Sequence, residues 1–355
     1  MIMNQVVAGS GGGSSVAEPY INWEVQNGEL VSTANHVMDF TGVTELNVGF
    51  YRAYYGNQNI GAVDMSSITK LSGPTQFCSY MFAGSSITSL DLSGLTAFSQ
   101  GAFYYACYNC TQLTTIDLSG MTTAGSSSEI FRYAFINCTA LTTVKLQNLE
   151  SVGVSSVFGY AFQNCTALTA INLKKLKSVT GNYSFQQAFQ NTGLITVSFE
   201  SLDTITGSAM FSSAFADCVN MESVWFYALN SASFGSNTSQ FNNLINNCTN
   251  VTVHFPIAIQ STIGSWTSVT GGFGGTNTTV LFDIVTSLTG ADSNTYTRSE
   301  KNSTPTATAW SYNDTLYYTS GGSNHTAGVN EPSVGDTIYS DAACTTAVTT
   351  ISAIA

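Results

Sequence analysis

Between residues 30 and 257 the apolar positions repeat one pattern: Phe-x-x-Ala-Phe-x-x-Cys, followed by Leu-x-x-Ile-x-Leu. It is plainest in YAFQNCTALTAINLKKL, residues 160–176, and in YAFINCTALTTVKLQNL, which begins 27 residues earlier. Phe158, Ala161, Phe162 and Cys165 are spaced i, i+3, i+4, i+7, which predicts that they share one face of a short helical turn. The alternation of Leu168, Ile171 and Leu173 then predicts a strand with Ala170, Asn172 and Lys174 facing outward. The residue equivalent to Ile171 falls at Met38, Val63, Leu90, Ile116, Val144, Ile171, Val197, Val224 and Val253, at spacings of 25 to 29 residues. A unit of one helical turn, one strand and a Ser/Gly-rich return cannot bury its own apolar face. Neighbours stacked on both sides can, so the expected fold is an α/β repeat solenoid of about nine coils.

These residues, AFxNCxxLxxIxL above all, resemble the Treponema-type or BspA-like leucine-rich repeat, without the Pro that commonly follows the strand there. The resemblance covers about two thirds of the chain. It implies a surface adhesion or binding protein of bacteria, or a protein of bacteriophages that infect gut bacteria. Gly84, Cys110, Cys138, Cys165, Thr192, Cys218 and Cys248 share one column, with Asn57 as an earlier member. In-register side chains pointing the same way are poorly set for a disulfide dihedral, so free buried thiols are expected, with bridges or a metal as the alternative.

Outside the repeat, residues 1–19 pair a short apolar patch with a Gly/Ser run and read as a tail or a tether. Residues 20–257 hold the solenoid and an amino-terminal cap with Trp23, residues 258–277 a Gly-rich linker, and residues 278–355 a small all-β domain. In that domain TATAWSY, TLYYTS, DTIYS and AVTTISAIA alternate as strands, with ND and GG as turns; a small sandwich or hairpin stack is expected.

Composition removes whole classes of function. Charged residues are 8% of the chain, and nine Lys plus Arg against 21 Asp plus Glu leave a net charge of −12. No basic patch is available to neutralise phosphates or hold an anionic bilayer, so neither nucleic acid nor membrane is an expected partner. The amino end lacks the charged and long apolar regions of a secretory signal, which is an expectation of assembly from the cytosol.

No catalytic motif is legible: His36, His254 and His325 have no metal-ligand spacing around them. The Asn-Cys-Thr triplets at Asn109, Asn137, Asn164 and Asn247 are formal glycosylation acceptors that recur because the repeat recurs. Two surface readings stay open. Asp39, Asp64, Asp91 and Asp117 would stack at ~5 Å, each adjacent pair repelling by about 0.8 kcal/mol in water; they either spread into solvent or hold a Ca²⁺ ion. Trp225, Tyr227 and His254 would face outward together, and Trp310, Tyr312, Tyr317 and Tyr318 form a second aromatic group; each is either core or a surface for a sugar or protein. The expected function is a non-enzymatic virion fibre, decoration or tail-associated adhesin. It would be held to a capsid or tail protein by residues 1–19 and would bind a host cell-surface protein or glycan. The alternative is a bacterial cell-surface or secreted adhesin. A homotrimer and a monomer are equally compatible with the sequence.

Overall fold

The computed structural model describes residues 23–26, 29–32, 40, 42–46, 50–230, 233, 239–256, 259, 273–290, 295–301, 309–311, 315–320, 323–324, 337–339 and 347–354, those before 40 and after 280 in backbone only. Two compact units divide the chain. The first comprises Met1–Ala228, Ala232–Thr252 and Trp266–Thr279, the second Leu229–Ser231, Val253–Ser265 and Val280–Ala355.

The first unit is a parallel solenoid. Strands Ala62–Asp64, Ser89–Asp91, Thr115–Asp117 and Thr143–Lys145 stack in the register the sequence predicts, Val63 opposite Leu90, Leu90 opposite Ile116 and Ile116 opposite Val144. The same column resumes in Thr196–Phe199 and Ser223–Phe226, with Val197 opposite Val224. Between them the ladder is interrupted: residues 170–173 form no strand, and Ile171 is half-buried while Leu168 and Leu173 are buried. Side chains bridge this region instead, through Lys174 to Glu200 at 2.7 Å, Lys177 to Glu150 at 3.1 Å and Lys175 donating to Asn148 at 3.0 Å. The coil expected at Met38 lies outside the described residues.

The return segment, read from sequence only as Ser/Gly-rich, carries a second parallel ladder of two-residue strands. Thr123–Ala124, Ser151–Val152, Ser178–Val179 and Thr204–Ile205 align in turn, with Ala124, Val152, Val179 and Ile205 inward.

The predicted helical turn is the largest correction. Among the described residues there is no α-helix; the Phe-x-x-Ala-Phe-x-x-Cys segment is a ribbon of successive turns in which every fourth residue has a left-handed backbone. Glu129, Tyr133 and Asn137 have φ of 60°, 61° and 61°, and Ser156, Tyr160 and Asn164 repeat them at 57°, 59° and 62°. The hydrogen bonds account for this geometry. The amides of Phe131, Tyr133, Phe135 and Asn137 donate to Val157, Gly159, Ala161 and Gln163 of the next coil at 2.9, 3.0, 2.9 and 2.9 Å. The intervening amides of Arg132, Ala134 and Cys138 close local turns on Glu129, Phe131 and Phe135. A helix would direct every amide along its own axis. The ribbon sends half of them sideways, so each coil binds the next through its backbone.

The inward faces agree with the sequence reading, because a four-residue turn repeat also places Phe131, Ala134, Phe135 and Cys138 in the core. Phe103, Phe131, Phe158, Phe185 and Phe211 stack with ring centroids 5.5, 5.7, 5.3 and 5.4 Å apart. Phe135, Phe162, Phe189 and Phe215 form a parallel stack at 5.4, 5.5 and 5.6 Å. Each such pair contributes roughly 0.5–1.5 kcal/mol beyond the area it buries.

Residues 273–277, expected in the linker, close the edge of the repeat unit: the amide of Ile245 donates to Phe273 and that of Thr276 to Cys248, both at 2.9 Å.

In the second unit the antiparallel strands form a ring. Thr279–Gly290 pairs with Thr295–Lys301, that with Ala309–Ser311, then Thr315–Ser320, Thr337–Tyr339 and Ala347–Ile354, which pairs back on Thr279–Gly290 through Leu288 and Ile354. This is a closed six-stranded arrangement where a sandwich or hairpin stack was expected. Closure leaves no free sheet edge in the ring.

Candidate binding surface

Most of the ribbon's left-handed residues are partly or fully exposed, Ser156 and Gly101 being buried, and coil by coil they align into rows. One row reads Tyr80, Tyr105, Tyr133, Tyr160, with ring centroids 4.9, 4.6 and 4.9 Å apart and interplanar angles of 4°, 12° and 28°. The inter-coil amide bonds fix that spacing, since each tyrosine is held at its own backbone nitrogen by the following coil. Further tyrosines flank the row at right angles. Tyr104 meets Tyr105 and Tyr133 edge-on at 4.8 and 5.5 Å, Tyr108 meets Tyr105 at 5.6 Å, and Tyr51, 61% exposed, meets Tyr80 at 6.3 Å. Two guanidinium groups lie over the rings, Arg52 at 4.1 Å from the centre of Tyr55 and Arg132 at 4.9 Å from that of Tyr133. Arg132 also pairs with Glu129. Partial burial and the neighbouring phenols push Tyr105 up to about 12, so that phenol stays protonated through the neutral range.

A second outward row, four residues further along each coil, is an amide ladder. Asn137 donates to Asn109 at 2.7 Å, Asn164 to Asn137 at 2.7 Å and Asn191 to Asn164 at 2.8 Å; further along, Asn247 donates to Asp217 at 2.8 Å. Asn tolerates the left-handed backbone better than other branched or bulky residues. This geometry accounts for the recurring Asn of the Asn-Cys-Thr triplets without a glycan.

The cysteine column lies just inside. Cys110, Cys138, Cys165, Cys218 and Cys248 are buried and free, and their thiols donate to Phe82, Cys107, Phe135, Phe189 and Phe215 carbonyls at 2.9–3.2 Å. Burial pushes Cys248 up to about 12 and raises Cys78 and Cys138 as well. The earlier member of the column is Ser85, 3.7 Å from the Cys110 sulfur, rather than Gly84, which sits in the asparagine row. Cys344 lies outside the described residues.

The acidic column has a local role in each coil. Asp64, Asp91 and Asp117 each accept the amide two residues on, from Ser66, Ser93 and Ser119 at 2.9, 2.8 and 2.9 Å, closing the turn that ends the strand. The Ser66 hydroxyl and amide hold Asp64 below the usual carboxylate range. Partial burial pushes Asp117 up, but bonds from Lys145, 2.6 Å away, and Ser119 outweigh it and hold this carboxyl low as well. Asp39 lies outside the described residues. Among the described residues no three Asp, Glu, His or Cys side chains come together as a metal site.

Trp225 and Tyr227 are half-buried and stack at 5.5 Å and 9°, and the Trp225 indole donates to Ser223 at 2.9 Å. His254, expected beside them on an outward face, is 3% exposed, because the strand Thr252–Pro256 is covered on both faces from Val253 onward. Trp310 is placed by its backbone, opposite Arg298 and Leu316 in the ring of strands. Tyr312, His36 and His325 lie outside the described residues.

Sequence reasoning passed over the tyrosine row although its signal was present. Tyr80, Tyr105, Tyr133 and Tyr160 recur at 25, 28 and 27 residues, the period of the repeat itself. Comparison with known families gives one match: a BspA type leucine rich repeat region, in six copies, over residues 53–153 and 105–265. A search of the curated proteins and of the solved structures gave no match. The match spans more than half of the chain and coincides with the solenoid, and the chain belongs to the BspA-type leucine-rich repeat family.

Proposed function

We propose that this protein is a non-enzymatic adhesin that binds a host cell-surface protein or glycan through the ribbon side of its solenoid. The observation that carries the reading is the row from Tyr80 to Tyr160, an aromatic surface held rigid by backbone bonds between coils. Aromatic and Arg side chains dominate binding energy at interfaces, and tyrosine costs little entropy to immobilise. Here that entropy is spent on folding. Solenoids of this family commonly serve as binding scaffolds.

The finer proposal is display on a virion, with residues 1–19 as the attachment to a capsid or tail protein. It is supported by the Gly/Ser-rich stretch next to a short apolar patch. Incorporation of wild-type and residue 1–19-deleted protein into particles tests it: particles that carry the deleted form at wild-type levels contradict the attachment. Adhesion itself is tested by flow cytometry of labelled protein on bacterial cells. Failure to bind any strain of a broad panel removes the adhesin reading and leaves a structural decoration.

A further inference from the structure

The adhesin reading leaves the class of ligand open, and the tyrosine row narrows it. Within the row the ring faces are occupied by one another, at 4.6–4.9 Å. A ligand therefore meets ring edges and phenol hydroxyls, not the open faces on which a single sugar ring usually stacks. Ring edges carry the positive end of the aromatic quadrupole, and a phenol can donate as well as accept. Among the described residues no group hydrogen-bonds the phenol oxygens of Tyr80, Tyr105, Tyr133 or Tyr160, and none of these oxygens is buried without a partner, so they open to water. The charge pattern agrees. In a chain of net charge −12, the ionic groups set among these rings are two guanidinium groups and one carboxylate, Arg52, Arg132 and Glu129.

We infer that the row is a subsite for an oxygen-rich linear polysaccharide lying along the solenoid axis, its hydroxyl or carboxylate oxygens meeting the phenols of successive coils. The inference rests on the adhesin reading and specifies its ligand. A receptor that presents the same group once per coil is matched by a ligand that presents the same group once per unit, and avidity then grows with chain length. The amide ladder supplies a second line of donors and acceptors parallel to the first, since each Asn from 109 to 191 spends only part of its hydrogen-bonding capacity on its neighbours.

Native affinity electrophoresis of the full chain through gels holding a β-glucan, a mannan or a polyuronate tests this. Wild type should be retarded by at least one of the three, and oligosaccharides of that polymer should compete better as they lengthen. The triple variant Y105F/Y133F/Y160F keeps the ring stack and removes three hydroxyls. It should lose at least about tenfold in affinity, on the usual worth of a hydrogen bond, with an unchanged melting point. Passage of wild type unretarded through all three gels, or equal retardation of wild type and the triple variant, overturns the inference. The two readings fail separately: cell adhesion that survives both periodate oxidation of the cells and the triple variant leaves the adhesin standing and removes the polysaccharide subsite.

Discussion

The left-handed ribbon makes a prediction whose sign is opposite to that of a helix. Ala209 occupies an outward position of the ribbon with φ of 48°. A left-handed backbone costs an L-residue roughly 1–2 kcal/mol that glycine does not incur, while glycine adds about 0.4–1 kcal/mol of unfolded-state freedom. Ala209→Gly should therefore raise stability, by about 1 kcal/mol. Its local bonds, from the amide to the Ser239 hydroxyl and from Ser212 to its carbonyl, are made by the backbone and survive the change. If the segment were helical, the same substitution would lower stability by about 1 kcal/mol. Urea unfolding followed by circular dichroism separates the two, with Ala134→Gly as the control: Ala134 is buried and carries no left-handed backbone, so glycine there must destabilise. A lower midpoint for Ala209→Gly would refute the ribbon.

Other consequences are as direct. Ala at Gly120 would bring a Cβ within 1.9 Å of the Ser93 carbonyl oxygen of the preceding coil, whereas nothing lies within 4 Å of one at Gly125; the unfolding free energy from urea titration should fall by about 1–3 kcal/mol for the first and change little or rise for the second. Phe158→Ala empties the middle of the phenylalanine stack, between Phe131 and Phe185, and should cost about 3–5 kcal/mol in the same assay. The buried thiols should ignore a thiol reagent until the chain unfolds. Because burial raises Cys248 to about 12 against an unfolded value near 8.5, the native state holds that proton more tightly. Its contribution is complete below about pH 8.5 and is lost as pH rises toward 12, so midpoints should decline across that window and Cys248→Ala should flatten the decline.

How much of this was legible in the sequence depends on the type of signal. The strand column was, because alternation over Leu-x-Ile-x-Leu admits one inward face; Val63, Leu90, Ile116 and Val144 stand in the register that their spacing required. The ribbon was misread because i, i+4 burial is common to a helix and to a four-residue turn repeat, so Phe131 and Phe135 could not separate the two. The residues between them could have. Gly56, Gly84 and Gly101, then Asn109, Asn137, Asn164 and Asn191, are types that accept positive φ, and they fall where the turns need it. Tyrosine has no such preference, so Tyr105, Tyr133 and Tyr160 gave no conformational hint, and their exposure follows only once the ribbon is known. The aspartates misled in another way. Read down the column, Asp64, Asp91 and Asp117 look like a charge stack; read along the chain, each is a turn-closing residue for the Ser two positions on.

The central claim is that the tyrosine row is the binding face. Its most direct test is adhesion of labelled protein to host cells when Tyr80, Tyr105, Tyr133 and Tyr160 are all replaced by glutamine, the residue that Gln187 already places in the same row at φ of 50°. With melting points matched to wild type, the quadruple variant should lose adhesion, while Trp225→Ala/Tyr227→Ala should retain it. Adhesion kept by the first and lost by the second would contradict the account and move the binding face to the strand side.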